Sequence, residues 1–121
     1  MDTLKEYQET IDLFGKKREV RITIKFEPDP DAISVIEGCD WDCSVPEAIS
    51  DYEKGNFSVD FIWVEVKCEL FSGIDSLGGC VIEFHSKYDH LSEVNDHNMV
   101  NEAIDDYKKD AQKYKDFFEE N

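Results

Sequence analysis

The sequence predicts an α+β protein in which two antiparallel hairpins form one four-stranded sheet (ββαββα) and a long amphipathic C-terminal helix packs on one face of that sheet. Three observations lead to this fold class: apolar residues alternate with polar ones around residue 22, alternate again from residue 57, and recur with helical period after residue 93. The chain has 121 residues, enough for one core and too few for two. We therefore expect a single domain over residues 1–121.

The first hairpin is predicted over residues 1–26. Every second residue from 20 to 26 is apolar, the pattern of a strand with one buried face. Residues 7–14 carry a similar alternation and lead into a turn at residues 14–17, which contains a glycine. The two segments are expected to pair with each other.

Residues 27–56 are predicted to form an acidic connection that contains one short helix. Two prolines near its start remove backbone donors, so that regular strand pairing should end there. Ser44 followed three residues later by Glu47 has the spacing of a capping box, and Gly55 stands where a helix C-cap would be. These signals predict a helix near residues 45–54.

The second hairpin is predicted over residues 57–85. Its first strand, residues 57–70, alternates in the same way, but its first half is apolar on both faces and includes Phe61 and Trp63. Either the acidic connection or a partner protein must cover that end of the second face.

The fourth strand is predicted to begin at Cys80, where alternation resumes. The preceding glycines are interpreted as the hairpin loop, because they interrupt the pattern: Gly73, Gly78 and Gly79. They do not predict a phosphate-binding loop, since no Gly-Lys-Ser/Thr follows and the next element is a strand rather than a helix.

The last element is predicted to be a helix over residues 93–119. Its apolar residues recur at alternating steps of four and three from Val100 to Phe118, which places them on one face. The remaining positions are mostly charged. We expect this helix to cover the sheet of its own chain rather than to bind a partner helix.

The chain is strongly acidic, with 29 Asp and Glu against 13 Lys and Arg and a formal net charge of −16. This charge repels phosphates and anionic lipids, so it disfavours direct binding to nucleic acid or membranes and favours a basic protein surface. At 40% hydrophobic residues the chain is too apolar for a disordered acidic tail. No apolar run is long enough to span a membrane, and the N-terminus lacks the features of a signal peptide. We therefore expect a cytoplasmic protein.

The acidity is concentrated between residues 27 and 60, where ten acids stand against Lys54 alone. One interpretation is a solvated surface that aids solubility. The other is that these carboxylates imitate a phosphate backbone and occupy a basic groove, with aromatic residues as anchors. The second interpretation names these candidate partner-binding residues: Asp29, Asp31, Glu37, Asp40, Trp41, Asp42, Asp51, Tyr52, Glu53 and Trp63.

The chain contains four cysteines, which we expect to be reduced: Cys39, Cys43, Cys68 and Cys80. The first two are separated by three residues, a spacing that a zinc knuckle uses, with a strand cysteine and His85 or His90 as further ligands. The strand cysteines fall on apolar positions, which favours buried thiols instead. No histidine adjoins a cysteine and no carboxylate pair stands out, so the sequence predicts no enzymatic activity, no cofactor and no metal.

Three short segments resemble small phage and mobile-element proteins: Trp-Val-Glu-Val at residues 63–66, Gly-Ile-Asp-Ser-Leu-Gly-Gly-Cys at 73–80 and Met-Val-Asn-Glu-Ala at 99–103. The likeness covers roughly residues 57–104. Small acidic proteins of that origin are similar in kind to anti-CRISPR and anti-restriction inhibitors. The resemblance implies a phage-type inhibitor, acting in the host cytoplasm on a basic surface of a CRISPR effector or restriction nuclease. Two alternatives remain open: an immunity protein against a toxin, and a structural or zinc-binding domain.

Overall fold

The computed structural model describes residues 2–114 and contains four strands and four helices within that range. In chain order they are β1 (Asp2–Leu13), β2 (Lys16–Pro28), α1 (Ala32–Gly38), α2 (Val45–Glu53), β3 (Phe57–Cys68), β4 (Phe71–Glu83), α3 (His90–Asp96) and α4 (Met99–Gln112). The strands form one antiparallel sheet in the order β1-β2-β3-β4. The predicted α+β class and four-stranded antiparallel sheet are confirmed.

Tight turns join the strands of both hairpins. Between β1 and β2, Phe14 and Gly15 have φ angles of 55° and 80°, the left-handed pair that a type I′ turn requires. The Gly15 amide also donates to Asp12 Oδ1 at 3.0 Å. Between β3 and β4 only Glu69 and Leu70 intervene. Turns this short fix the register of each strand pair.

The hairpin loop predicted around the glycines before Cys80 is wrong. β4 already begins at Phe71, and Gly73 lies inside the strand, paired with Val66 of β3. A strand interior tolerates glycine where another backbone approaches closely. That backbone belongs to α4, which crosses Gly73 directly.

The other two glycines of that segment, Gly78 and Gly79, form a β-bulge rather than a loop. Both lie opposite the single residue Phe61, because the flanking register pairs are Ile62 with Leu77 and Asp60 with Cys80. Gly79 has a φ of 70°, which glycine adopts at little cost. The bulge keeps Leu77 and Cys80 on the same face of the sheet, whereas a regular strand would place residues three positions apart on opposite faces.

The face of the sheet that α4 covers, called the helix face, holds the main core. Ile22, Ile62, Val64 and Val66 are fully buried there, and α4 contributes residues at helical spacing: Met99, Ala103, Tyr107 and Ala111. Burial raises the pKa of Tyr107 to about 12. The predicted packing of a C-terminal helix on one sheet face is therefore confirmed.

The C-terminal helix differs from the prediction in being divided. α3 and α4 are separated by His97 and Asn98, and Asn98 has a φ of 54°, a left-handed conformation that ends the α-helical path. The start of α3 is a capping box between Asp89 and Ser92. The end of the predicted helix, residues 115–119, lies outside the described residues.

The opposite face of the sheet, called the cap face, is covered at one end by α1 and α2. Ala32, Ile36 and Ala48 from these helices pack on Phe57 and Val59 of β3 as a second buried cluster. α2 begins as the sequence indicates, with Ser44 Oγ accepting a hydrogen bond from the Glu47 amide at 3.3 Å. Among residues 2–114, no helix is long and apolar enough to cross a membrane.

Candidate partner-binding surface

The α1–α2 segment, residues 29–56, forms a small acidic cap on the cap face. Six of its carboxylates are exposed: Asp31, Glu37, Asp40, Asp42, Glu47 and Glu53. None of the six forms an ion pair with a described residue, whereas Glu6, Glu65 and Asp110 elsewhere in the chain do. The cap, with Lys54 as its one cationic residue, therefore projects a net negative potential.

Aromatic residues hold the cap on the sheet. The Trp41 ring lies 5.3 Å and the Tyr52 ring 5.8 Å from the ring of Phe57, centroid to centroid. Trp41 Nε1 donates to the Ile36 carbonyl oxygen at 2.8 Å, which ties the interhelical loop to α1. Trp41 and Tyr52 remain half-buried, so each offers an edge at the surface beside the acids.

Asp51 and Glu47 complete the cap in different ways. Asp51 is half-buried and accepts a hydrogen bond from Asn56 Nδ2 at 3.3 Å, so part of its role is local. Glu47 is exposed in the first turn of α2 and belongs to the same surface, although it is absent from the candidates that the sequence singles out. Its position among the acids of residues 27–60 is the sequence feature that could have identified Glu47 as part of this surface.

Asp29 lies beneath the cap surface, unlike the other predicted acids. It is 8% exposed. Its carboxylate accepts from the Asp31 amide at 2.8 Å and from the Gly79 amide at 2.7 Å. This contact joins the end of β2 to the bulge of β4, and the carboxylate faces the fold rather than a partner. We therefore remove Asp29 from the candidate surface.

Trp63 lies on the cap face, outside the buried cluster that α1 and α2 form with β3. Its ring is 4.4 Å from that of Phe61, and both side chains are half-buried. The neighbouring Glu65 carboxylate contacts Lys67 Nζ at 2.8 Å and Lys25 Nζ at 3.2 Å. The bond from Lys67, supported by Lys25, lowers the pKa of Glu65. The acidic connection thus covers part of the cap face and leaves this aromatic pair beside it.

The cysteines are all free, with Cys39 and Cys43 exposed, Cys68 half-buried and Cys80 buried. Within residues 2–114 no group of three or more His, Cys, Asp or Glu side chains is placed to hold a metal ion. Burial, with smaller contributions from the nearby carboxylates of Glu93 and Asp60, raises the pKa of Cys80 to about 12. This thiol is poorly suited to nucleophilic chemistry, which requires the thiolate.

A buried polar cluster lies between the sheet and α3. Asp60 is 3% exposed, and its Oδ2 lies 2.6 Å from His90 Nε2 and accepts from Ser58 Oγ at 2.9 Å. The His90 ring packs on Phe26 at a centroid distance of 4.2 Å. Ser58 is bonded to the carboxylate and not to the imidazole, so the trio lacks the nucleophile-to-base contact of a catalytic triad. Its contacts instead anchor α3 to β3.

Comparison with known proteins gives no match: no family model, no curated protein and no solved structure is similar to this chain.

Proposed function

We propose that this protein is a phage-type inhibitor whose acidic cap occupies a basic, nucleic-acid-binding surface of a host defence complex such as a CRISPR effector or a restriction nuclease. The observation that carries the proposal is the set of six exposed carboxylates on the cap, none of them in an ion pair with a described residue. A helical cap with this charge presents negative groups on a rigid support, as a nucleic-acid backbone does.

Electrostatics favour such a partner over a neutral one. Carboxylates that repel one another in the free chain gain favourable interactions when a basic groove replaces water, and the net charge of −16 steers basic proteins toward the chain. The same charge opposes contact with DNA, RNA or an anionic membrane. Binding of this kind weakens as salt rises, because the Debye length falls to about 8 Å at 0.15 M.

The half-buried aromatic residues supply the part of the affinity that charge does not. Trp41 and Tyr52 are already held against Phe57, so their exposed edges lose little conformational entropy when a partner covers them. Trp63 and Phe61 offer a second aromatic contact on the same face. We assign the cap acids to recognition and on-rate, and these rings to the slow dissociation of the complex.

Charge reversal on the cap tests the proposal. The tagged wild-type chain is expected to capture a basic nucleic-acid-binding protein from bacterial lysate, quantified by mass spectrometry. The variant Glu37→Lys, Asp40→Lys, Asp42→Lys should reduce that capture at least about a hundredfold, since each reversal replaces an attraction by a repulsion worth about 1 kcal/mol or more. All three positions are exposed, so the fold should persist.

A matched control reverses three exposed acids on β2 and α4, away from the cap: Glu19→Lys, Glu102→Lys and Asp105→Lys. This control changes the net charge by the same amount and should retain capture. Equal losses in the two variants would show that only total charge matters, and no loss in either would remove the cap from the binding surface.

A further inference from the structure

Side chains of α4 hydrogen-bond to the β4 edge of the sheet, whereas no described residue covers the β1 edge in the same way. At the β4 edge, Asp110 Oδ2 accepts from the Ser72 amide at 3.2 Å and Asp106 Oδ2 accepts from the Ile74 amide at 3.0 Å. The two acids are four residues apart on α4 and so face the strand together. The outward backbone donors of β4 at these positions are therefore satisfied within the molecule.

The β1 edge has no comparable cover in the described part of the chain. β1 is twelve residues long, is hydrogen-bonded to β2 on one side only, and has eight exposed residues. A long exposed edge presents unpaired backbone donors and acceptors, which favour the addition of another strand. The acidic cap packs on β3 and β4, so it does not obstruct this edge.

We propose that the β1 edge pairs in antiparallel fashion with the β1 edge of a second copy of this chain, about a twofold axis at Tyr7. In that register Lys5 lies opposite Glu9 of the second copy, Gln8 lies opposite Glu6, and Tyr7 lies opposite its own counterpart. Because the axis repeats each pair, the interface contains two Lys5–Glu9 pairs. The inference does not rest on the proposed function.

The observed positions of the side chains support this arrangement. Lys5 Nζ lies 4.9 Å from the Tyr7 ring centroid, so both side chains are on one face. Tyr7 pairs with Ile22, which is fully buried on the helix face. Glu6 contacts Arg21 at 3.5 Å on the other face. Directly opposed residues of antiparallel strands share a face. The Lys5, Tyr7 and Glu9 side chains of one copy therefore lie beside the same three side chains of the other copy.

Other twofold registers are less favourable. Since opposed residues share a face, the axis must pass through a residue of β1. Axes at Lys5, Glu6 or Glu9 place two identical charges directly opposite each other, which is destabilising. An axis at Gln8 leaves Lys5 opposite Ile11. A bulge between Thr3 and Lys5 shifts the register of β1 toward the N-terminus, so a regular ladder is available only from Lys5 onward. The axis at Tyr7 alone, among these, pairs opposite charges.

Sedimentation equilibrium at about 0.15 M salt, where the repulsion between two copies of charge −16 is largely screened, measures the association. The wild-type chain is expected to form a dimer. Lys5→Glu and Glu9→Lys should each raise the dimer dissociation constant at least about tenfold, since each creates two like-charge pairs. The double variant restores both attractions and should recover the wild-type constant. A wild-type monomer at all concentrations, or a double variant as weak as the singles, would overturn the proposal.

Disulfide trapping tests the register itself. In a background of Cys39→Ser and Cys43→Ser, Tyr7→Cys should cross-link to its own copy on oxidation, because residues on the axis lie within the roughly 7 Å limit for a disulfide. Glu9→Cys should not, since its two copies would be about 14 Å apart along the strands. Cross-linking of Glu9→Cys, or none of Tyr7→Cys, would overturn the axis at Tyr7.

Discussion

Replacing Gly73 by alanine is expected to lower the free energy of unfolding by about 3 kcal/mol, at the upper end of the cost of overpacking a core. A Cβ at this position would overlap the Tyr107 amide nitrogen and the Ala103 carbonyl oxygen and would lie 2.7 Å from the Tyr107 Cα. These are backbone atoms of α4, which cannot rotate aside as a side chain can. The helix would have to lift from β4 and strain the contacts of Asp106 and Asp110.

Urea unfolding followed by circular dichroism measures this loss. Gly38→Ala is the matched control, because a Cβ there meets no atom within 4 Å and the backbone is not left-handed. Its free energy of unfolding should stay within about 0.5 kcal/mol of the wild-type value. Similar values for the two variants would show that α4 does not approach β4 as closely as the structure indicates.

Replacing Asp29 by alanine is expected to cost about 2 kcal/mol of unfolding free energy, since its buried carboxylate satisfies two backbone amides. The Gly79 amide, at the β4 bulge, and the Asp31 amide, at the start of α1, would both lose their acceptor. Asp29→Asn should lie between wild type and alanine, because the amide group retains one acceptor oxygen where the carboxylate has two.

The neighbouring Asp31 provides the control for this substitution. Asp31 is exposed and is the N-cap of α1 without a side-chain capping hydrogen bond, so Asp31→Ala should change stability by no more than about 0.5 kcal/mol. Thermal and urea unfolding of the three variants checks the order. Equal costs for Asp29→Ala and Asp31→Ala would contradict the structural role assigned to Asp29.

The sheet could be predicted from the sequence because its strands bury one face more than the other. The even-numbered residues Ile22, Ile24, Val64 and Val66 are apolar and lie under α4, so period-two alternation reports their burial directly. α2 could be predicted because Ser44 and a glutamate three residues on form a local capping signal that does not depend on the rest of the fold.

Other elements depend on contacts that the local sequence does not reveal. Glycine is typical of turns, but Gly73 lies inside β4, where the backbone of α4 approaches it too closely for a side chain, and this contact exists only in the folded chain. The apolar stripe that predicts the C-terminal helix begins at Val100, so it does not report the break at Asn98 or the separate helix α3 before it. α1 is seven residues long and lacks a side-chain cap, which leaves little local signal.

The candidate surface was only partly predictable for the same reason. Local charge identifies an acidic segment, but it does not separate the buried Asp29 from the exposed Asp31 two residues away. Likewise, Trp41 and Tyr52 share the cap because both contact Phe57, a residue of β3 that composition cannot place. Burial and partnering, which follow from the fold, decide which acids are available to a partner.

Competition with DNA tests the proposed role of the acidic cap most directly. A fluorescently labelled duplex is bound to the basic protein recovered in the proposed capture experiment, and the anisotropy of the duplex is recorded as each chain is added. The wild-type chain and the control reversed on β2 and α4 are expected to displace the duplex equally. The cap-reversed variant should leave the duplex bound even at a concentration about a hundredfold above that at which the wild-type chain displaces it. A duplex that stays bound while the wild-type chain joins the complex would contradict occupation of the nucleic-acid groove.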